Sequence, residues 1–294
     1  MWRMNLHETK KGQNKMSTLK STAVLMRLSI GMPGRNRQDR QVTDEVKAEK
    51  HFGKDAGRWV KALYPPEALE PITKLDNEAR ALHARLTLPF DNGVGILPSA
   101  VIQDYAGAMK QYKLQRDALV ENHFIANLDK WIAWAEQQHN GSFDRTLYGT
   151  KEELREKFYF ATEPLPVPDS THFENQVTQL LGADVNSVNQ RVQDAALEAQ
   201  RELMRRMIAP VEHMAKTLAK ESPRLFKTLL TNIADIADLA PKLNLMNDAT
   251  INNFAKELKE LARNDVESFK QDGPKEDARQ KAEAMLKKLS GYKL

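Results

Sequence analysis

The chain has 294 residues, of which 41% are hydrophobic, 29% charged and 7% aromatic. This apolar content is enough for a packed core and excludes a disordered chain, and the length is typical of about two domains. The absence of cysteine excludes a disulfide framework, a thiolate zinc site and a cysteine nucleophile. We find no transmembrane run and no signal peptide, so we expect a cytoplasmic protein that does not enter a membrane.

The formal net charge of +4 is unevenly distributed along the chain. Residues 1–40 contain nine Lys/Arg and two Asp/Glu, so they carry a net charge of +7 and the remaining residues carry −3. We expect residues 1–20 to form a basic, disordered arm, of which residues 1–15 would be an upstream extension if translation starts at Met16. Two interpretations remain open, a solvated tail with one basic loop or an electrostatic arm for nucleic acid or an acidic partner.

The first elements along the chain are short. Alternating apolar residues over 22–30 predict a strand, and the glycines and proline after it predict an arginine-rich loop, RNRQDR, at residues 35–40. A short helix is expected over about 43–52. The segment GRWVKALYP, residues 57–65, then predicts a second strand with Trp59 as its packing anchor.

The segment TLPFDNGVGILP, residues 87–98, follows a predicted helix over 66–85. Its G-x-G sequence raises the question of a phosphate-binding loop. That motif would require a further x-x-G and a helix, whereas Gly95 is followed by Ile-Leu-Pro. Asn92-Gly93 between two apolar runs instead favours the tight turn of a β-hairpin.

A long helix is predicted over about 99–138 and a short one over 151–158, where Thr150 and Glu153 form a capping-box pattern. The segment FYFATEPLPVP, residues 158–168, predicts an extended connector. Its three prolines exclude a central strand beyond about Thr162. We therefore place a domain boundary at residue 168.

The remainder of the chain has the 3.6-residue periodicity of helices. One helix is predicted over 185–221 with a bend at Pro210, and others from Ser222-Pro223, from about Ala249, and over 274–290 after a break at Gly273-Pro274. The predicted fold class is α+β and mostly α. It comprises an α+β domain over 21–168, with a small sheet and long helices, and a helical module over 169–294.

Four segments of the N-terminal half together resemble a phage- and bacteria-associated family of uncharacterised proteins, a domain of unknown function: LSIGMPGRNRQDR, GRWVKALYP, TLPFDNGVGILP and ELREKFYFATEPLPVP. The resemblance covers roughly residues 22–173. It implies a phage or prophage context, and hence the host cytoplasm. It also implies an AAA+ ATPase partner, because genes of the family lie near those of MoxR- or cobaltochelatase-like AAA+ ATPases and von Willebrand A-domain proteins. It supplies no catalytic residues.

No catalytic or cofactor signature is present in the sequence. There is no P-loop, no G-x-S-x-G elbow and no pair of histidines at helical spacing. Paired acids such as Glu152-Glu153 are typical of helix starts and solvated faces. We therefore assign no catalytic residue, metal or cofactor and expect a protein that is not an enzyme.

Two arginine clusters are candidates for nucleic-acid binding. The first comprises Arg35, Arg37 and Arg40, and the second comprises Arg201, Arg205 and Arg206. Glutamates interspersed with the second cluster also fit an ordinary solvated helix face, and no aromatic residues alternate with the arginines as in a single-strand platform.

Protein contacts are the leading functional hypothesis. Flexible methionines suit adaptable interfaces, which makes Met204, Met207 and Met214 the candidate partner-binding residues, although apolar stripes at this spacing are also typical of an ordinary core. The hypothesis is a non-catalytic phage-type accessory or adaptor protein, with a homo-oligomer as a further option. The alternative is a nucleic-acid-binding protein that uses the basic N-terminal segment and a basic helix face.

Overall fold

The computed structural model describes residues 21–91, 93–168, 185–221 and 227–290. The predicted fold class is confirmed, because the chain is mostly helical with a small antiparallel sheet near its N-terminus. Three predicted features lie outside the described residues, namely the basic arm over 1–20, the turn residue Asn92 and the helix start at Ser222-Pro223.

The strands of the described residues form two sheets. They are β1 (Ala23–Gly31), β2 (Asn36–Asp39), β3 (Trp59–Ala62), β4 (Leu88–Asp91), β5 (Val94–Pro98) and β6 (Tyr159–Leu165). One sheet has the order β4-β5-β1-β6, and β2 and β3 form a separate two-stranded ribbon. The strand β6 continues past Thr162 because it lies at the sheet edge, where Pro164 can be accommodated.

The described helices are α1 (Arg40–Glu49), α2 (Pro66–Leu86), α3 (Ile102–Leu119), α4 (Leu128–His139), α5 (Lys151–Lys157), α6 (Val185–Leu218), α7 (Thr228–Leu243), α8 (Ala249–Ala262) and α9 (Asp272–Ser290). The predicted helix over 99–138 is divided, because a π-helical turn at Val120–Ile125 separates α3 from α4. The predicted helix over 274–290 is present as α9 and is separate from α8, which ends at Ala262. It begins two residues earlier than predicted, so Gly273 and Pro274 lie in its first turn, where proline is tolerated.

The described chain divides into two compact units. The helical unit contains residues 21–27, 84–103 and 164–290, and the ribbon unit contains residues 28–83 and 104–163. The sequence placed a single boundary at residue 168. The structure instead groups the β4–β5 hairpin with the C-terminal helices, although the hairpin precedes that boundary in the chain.

The core of the helical unit is built from the apolar faces that the sequence periodicity predicts. Helix α6 packs against α7, α9 and β4, and α7 packs against α8. The fully buried side chains at these contacts include Met207, Ile233, Ile251, Leu258 and Ala282. Burial of one large aliphatic side chain contributes about 1.5–3 kcal/mol, so these repeated contacts stabilise the unit.

The β4–β5 hairpin is confirmed, and each of its glycines has a structural role. Gly93 has φ of +79°, a left-handed conformation that glycine adopts without strain. Gly95 faces Thr87, and a Cβ at Gly95 would lie 2.6 Å from the Cβ of that threonine. The hairpin therefore accounts for the G-x-G sequence without a phosphate.

The core of the ribbon unit surrounds Tyr64, Phe124 and Trp131. A buried ion pair lies within the same unit, where Arg116 Nε is 2.6 Å from Asp76 Oδ1 and both side chains are at most 1% exposed. Arg116 also donates a hydrogen bond of 2.7 Å to the carbonyl oxygen of Gly31. This pair connects α2, α3 and the end of β1, and no local pattern in the sequence predicts it.

Candidate binding surface on the β2–β3 ribbon

The β2–β3 ribbon places an aromatic residue beside the first arginine cluster. In the antiparallel register, Arg37 lies opposite Lys61 and Asp39 lies opposite Trp59. Opposite residues share one face of a sheet, and side chains alternate between faces along each strand. The Trp59 face therefore comprises Arg37, Asp39, Trp59 and Lys61. The opposite face carries Gln38 and Val60.

The structure corrects the prediction of a loop at residues 35–40. These residues contain β2 and the first residue of α1, because the β3 backbone supplies hydrogen-bonding partners that the polar sequence NRQD does not itself signal. Arg35 contributes to the base of the ribbon. Its Nε donates to the carbonyl oxygen of Tyr64 at 3.2 Å, and its own carbonyl accepts from the backbone N–H of Leu63 at 2.7 Å.

Trp59 is not the packing anchor that the sequence predicted. Its side chain is 52% exposed, as is that of Val60 on the opposite face. Its backbone is nevertheless fixed, because the N–H of Trp59 donates to Thr43 Oγ1 at 2.9 Å and that hydroxyl donates to the carbonyl of Asp39 at 2.5 Å. A fixed backbone thus presents an exposed indole ring.

Lys61 has a different environment on the same face. It is 8% exposed, forms an ion pair with Asp39 and donates a hydrogen bond of 2.6 Å to the carbonyl of Ser142. Asp39 also caps α1 by accepting from the backbone N–H of Val42 at 3.0 Å. The hydrogen bond from Lys61, followed by that from Val42, holds the pKa of Asp39 below its usual value. The charge of Lys61 is therefore compensated within the fold.

Arg37 and Arg40 make no direct contact of this kind. Both side chains are exposed, and neither makes a hydrogen bond or an ion pair with any residue of the described chain. Arg40 occupies the first position of α1, whose first turn contains no acidic residue. Positive charge is unfavourable there, because the helix dipole places a partial positive charge at the N-terminus.

A polar groove of about 960 Å³ extends along this part of the ribbon unit. Arg37, Arg40 and Lys61 line it together with three carboxylates, those of Asp39, Glu45 and Asp144. The pKa of Asp144 is lowered, chiefly because its carboxylate accepts hydrogen bonds from the side chain and backbone of Thr146. The groove therefore carries charges of both signs, and the charge of Arg37 contributes to the lowered pKa of Asp144. Arg37 and Arg40 are its two cations without a hydrogen bond or an ion pair in the described chain.

The arginines of the second cluster are all paired with two glutamates of their own helix. Arg201 lies 3.6 Å from Glu198, and Arg205 pairs with Glu198 and, at 2.6 Å, with Glu202. Arg206 pairs with Glu202 at 3.0 Å. It also donates to the carbonyl of Thr87 at 2.9 Å, which anchors α6 to the residue before β4. These arginines belong to the helical unit, and Arg37 and Arg40 belong to the ribbon unit.

The three candidate methionines are buried in the helical unit. Met204 is 5% exposed, and Met207 and Met214 are fully buried. Their side chains contact the core of their own chain, which is the ordinary packing that their spacing also allowed. The large hydrophobic side chains that are exposed in the described chain all belong to the ribbon unit: Phe52, Trp59, Val60, Leu114 and Tyr159.

The described residues contain no group of three or more His, Cys, Asp or Glu that could hold a metal ion. Within the same ranges, no helix has the length and apolar character that a membrane span requires.

The sequence did not predict that Trp59 lies near Arg37, because their proximity depends on the register of the two strands. No protein-family model, curated protein or solved structure matches the chain.

Proposed function

We propose that the protein is a non-catalytic accessory or adaptor protein that acts through protein–protein contacts at the Trp59 face. The observation that carries this proposal is an indole ring, 52% exposed on a fixed backbone, one strand away from Arg37. The side chain of Arg37 is exposed and makes no hydrogen bond or ion pair in the described chain. Tryptophan and arginine are enriched among the residues that dominate the binding energy of protein interfaces.

A phage-type role and an AAA+ ATPase complex as partner are parts of this proposal that rest on the sequence resemblance alone. Such a role requires a surface that binds another protein, and the exposed indole ring of Trp59 supports placing that surface on the Trp59 face. The predicted interface at Met204, Met207 and Met214 is not retained, because these side chains are already packed within the helical unit.

Affinity purification with mass spectrometry tests the proposal, and the ribbon itself offers a matched control. Trp59 and Val60 are adjacent on β3, are equally exposed and lie on opposite faces. After nuclease treatment of the lysate, we expect Trp59→Ala to lose protein partners that the native chain recovers. Val60→Ala should retain these partners. Equal recovery with both variants, or no recovered partner with the native chain, would contradict the proposal.

Nucleic-acid binding is the second candidate, and the observation that favours it is that the exposed Arg37 and Arg40 make no hydrogen bond or ion pair in the described chain. It does not extend to Arg201, Arg205 and Arg206, whose charges are paired. It predicts that the native chain retards DNA or RNA in a gel, with an affinity that falls steeply with salt. Unchanged retardation by Arg37→Ala/Arg40→Ala would exclude this site.

A further inference from the structure

We infer that the partner segment of the Trp59 face is an acidic peptide with at least one aromatic or large apolar side chain. This inference rests on the proposed function and specifies the chemistry of the partner. The aromatic part would contact Trp59, and the carboxylates would bind Arg37 and Arg40 along the groove. The basis of this pairing is charge complementarity between the partner and the ribbon unit.

The charge balance of this region is positive. Residues 35–61, from the ribbon base through α1 to β3, contain eight Lys/Arg and five Asp/Glu. Lys61 is compensated by Asp39, and Lys50 pairs with Glu49 at 2.7 Å. The exposed Arg37, Arg40 and Arg58 are without a hydrogen bond or ion pair in the described chain. Arginine binds carboxylates through charge-assisted, often bidentate hydrogen bonds, so the excess charge suits an acidic segment.

The position of Arg40 supplies a second argument. A cation in the first turn opposes the helix dipole, whereas an anion there is stabilising. A carboxylate bound beside Arg40 would neutralise its charge and interact favourably with the same helix end. Residues that disagree with a local structural preference are concentrated at functional sites, and Arg40 is such a residue.

The carboxylates of the groove favour a peptide over a nucleic acid. Asp39, Glu45 and Asp144 line the groove among its cations, and they would repel a continuous phosphate backbone. A peptide can place its carboxylates at intervals that avoid them. The aromatic rings here are the exposed Trp59 and, in the groove, the half-buried Phe143, which is stacked on Tyr148. Proteins that bind single strands instead use several successive rings on which bases stack.

Synthetic copolymers provide defined probes for this inference. We expect isothermal titration calorimetry to show binding of poly(Glu,Tyr), weaker binding of poly(Glu) and no binding of poly(Lys,Tyr), with affinities that fall as salt rises. Arg37→Ala/Arg40→Ala should weaken binding of poly(Glu,Tyr) about tenfold or more, because it removes two charge-assisted contacts. Lys74→Ala removes an exposed charge from α2 and should change affinity by less than about twofold.

The aromatic part of the inference has its own readout. In Trp59→Ala, we expect poly(Glu,Tyr) to bind no more tightly than poly(Glu), whereas Val60→Ala should preserve the difference. No binding of poly(Glu,Tyr) to the native chain, or tighter binding of a single-stranded oligothymidylate, would overturn the inference. The acidic copolymers could fail to bind while Trp59→Ala still loses its protein partners. That result would support the proposed function and exclude an acidic peptide as the partner segment.

Discussion

The two arginine clusters look alike in the sequence and have different roles in the structure. On α6, Arg205 and Arg206 lie three or four residues after Glu202, and the helix brings these opposite charges together. On the ribbon, Asp39 is occupied by Lys61 and the α1 backbone. The charge of Arg37 acts on the nearby Asp144, but neither Arg37 nor Arg40 forms an ion pair in the described chain. Basic composition alone therefore does not identify a binding surface. The deciding property is whether the fold already compensates each charge.

Arg116 is an arginine whose charge is paired entirely inside the core. Arg116→Met would leave the carboxylate of Asp76 buried without its partner. Removal of one member of a buried ion pair typically costs about 3–5 kcal/mol. We expect chemical denaturation to show a loss of that size. A loss below about 1 kcal/mol, as expected for the exposed Arg155–Glu121 pair, would contradict this assignment.

Replacement of Asp39 by Asn tests the compensation within the ribbon. Asparagine can still cap α1, so the variant chiefly removes the charge that Lys61 needs. We expect a loss of stability smaller than that of Arg116→Met, because the pair is not completely buried.

The pH dependence of stability distinguishes the charge of Asp39 from its packing. The pKa of Asp39 in the folded chain lies below its ordinary value of 3.8. Its contribution is therefore present above about pH 4 and is lost as the pH falls through the folded-state pKa. Denaturation measured between pH 6 and pH 2 should show a smaller acid-induced loss in Asp39→Asn than in the native chain. Identical pH profiles would show that the Lys61 contact does not depend on charge.

Arg206→Ala tests whether the second cluster is structural. The variant loses the ion pair with Glu202 and the hydrogen bond to the carbonyl of Thr87. We expect a destabilisation of about 1–2 kcal/mol in urea denaturation, since the bond to the carbonyl is charge-assisted. Partner recovery by the folded variant should be unchanged. Reduced recovery without a loss of stability would assign a binding role to this cluster.

Arg40→Glu should have the smallest effect on stability and the opposite sign. An acidic residue in the first turn of α1 interacts favourably with the helix dipole, which contributes about 0.3–1 kcal/mol. We expect a slightly raised thermal midpoint together with weaker binding of acidic polymers. A lowered midpoint would show that Arg40 stabilises the fold and would weaken its assignment to a binding surface.

The sequence predicted the elements whose signals are local. The buried face of α8, with Ile251, Phe254, Leu258 and Leu261, follows directly from helical periodicity. The capping box of α5 is present as predicted at Thr150 and Glu153. In these elements the pattern that defines the structure lies within one turn or one helix, so a single sequence is sufficient to recognise it.

The features that the sequence did not predict depend on distant residues. The polar segment NRQD becomes β2 because β3 pairs with it, more than twenty residues later. The Asp76–Arg116 pair joins residues 40 positions apart. Trp59 was expected in the core because aromatic residues usually pack there. Its exposure depends on how the β2–β3 ribbon packs within its unit, and no local sequence pattern determines that packing.

The most direct test of the central claim compares two charge-matched double variants in one titration with poly(Glu,Tyr). Arg37→Ala/Arg40→Ala and Arg201→Ala/Arg205→Ala each remove two positive charges from exposed positions. We expect the first to weaken binding about tenfold or more and the second to leave it within about twofold. Equal weakening by both variants would show that binding follows net charge, and weakening by the second alone would place the site on α6. Either result would contradict the claim that Arg37 and Arg40 bind the partner.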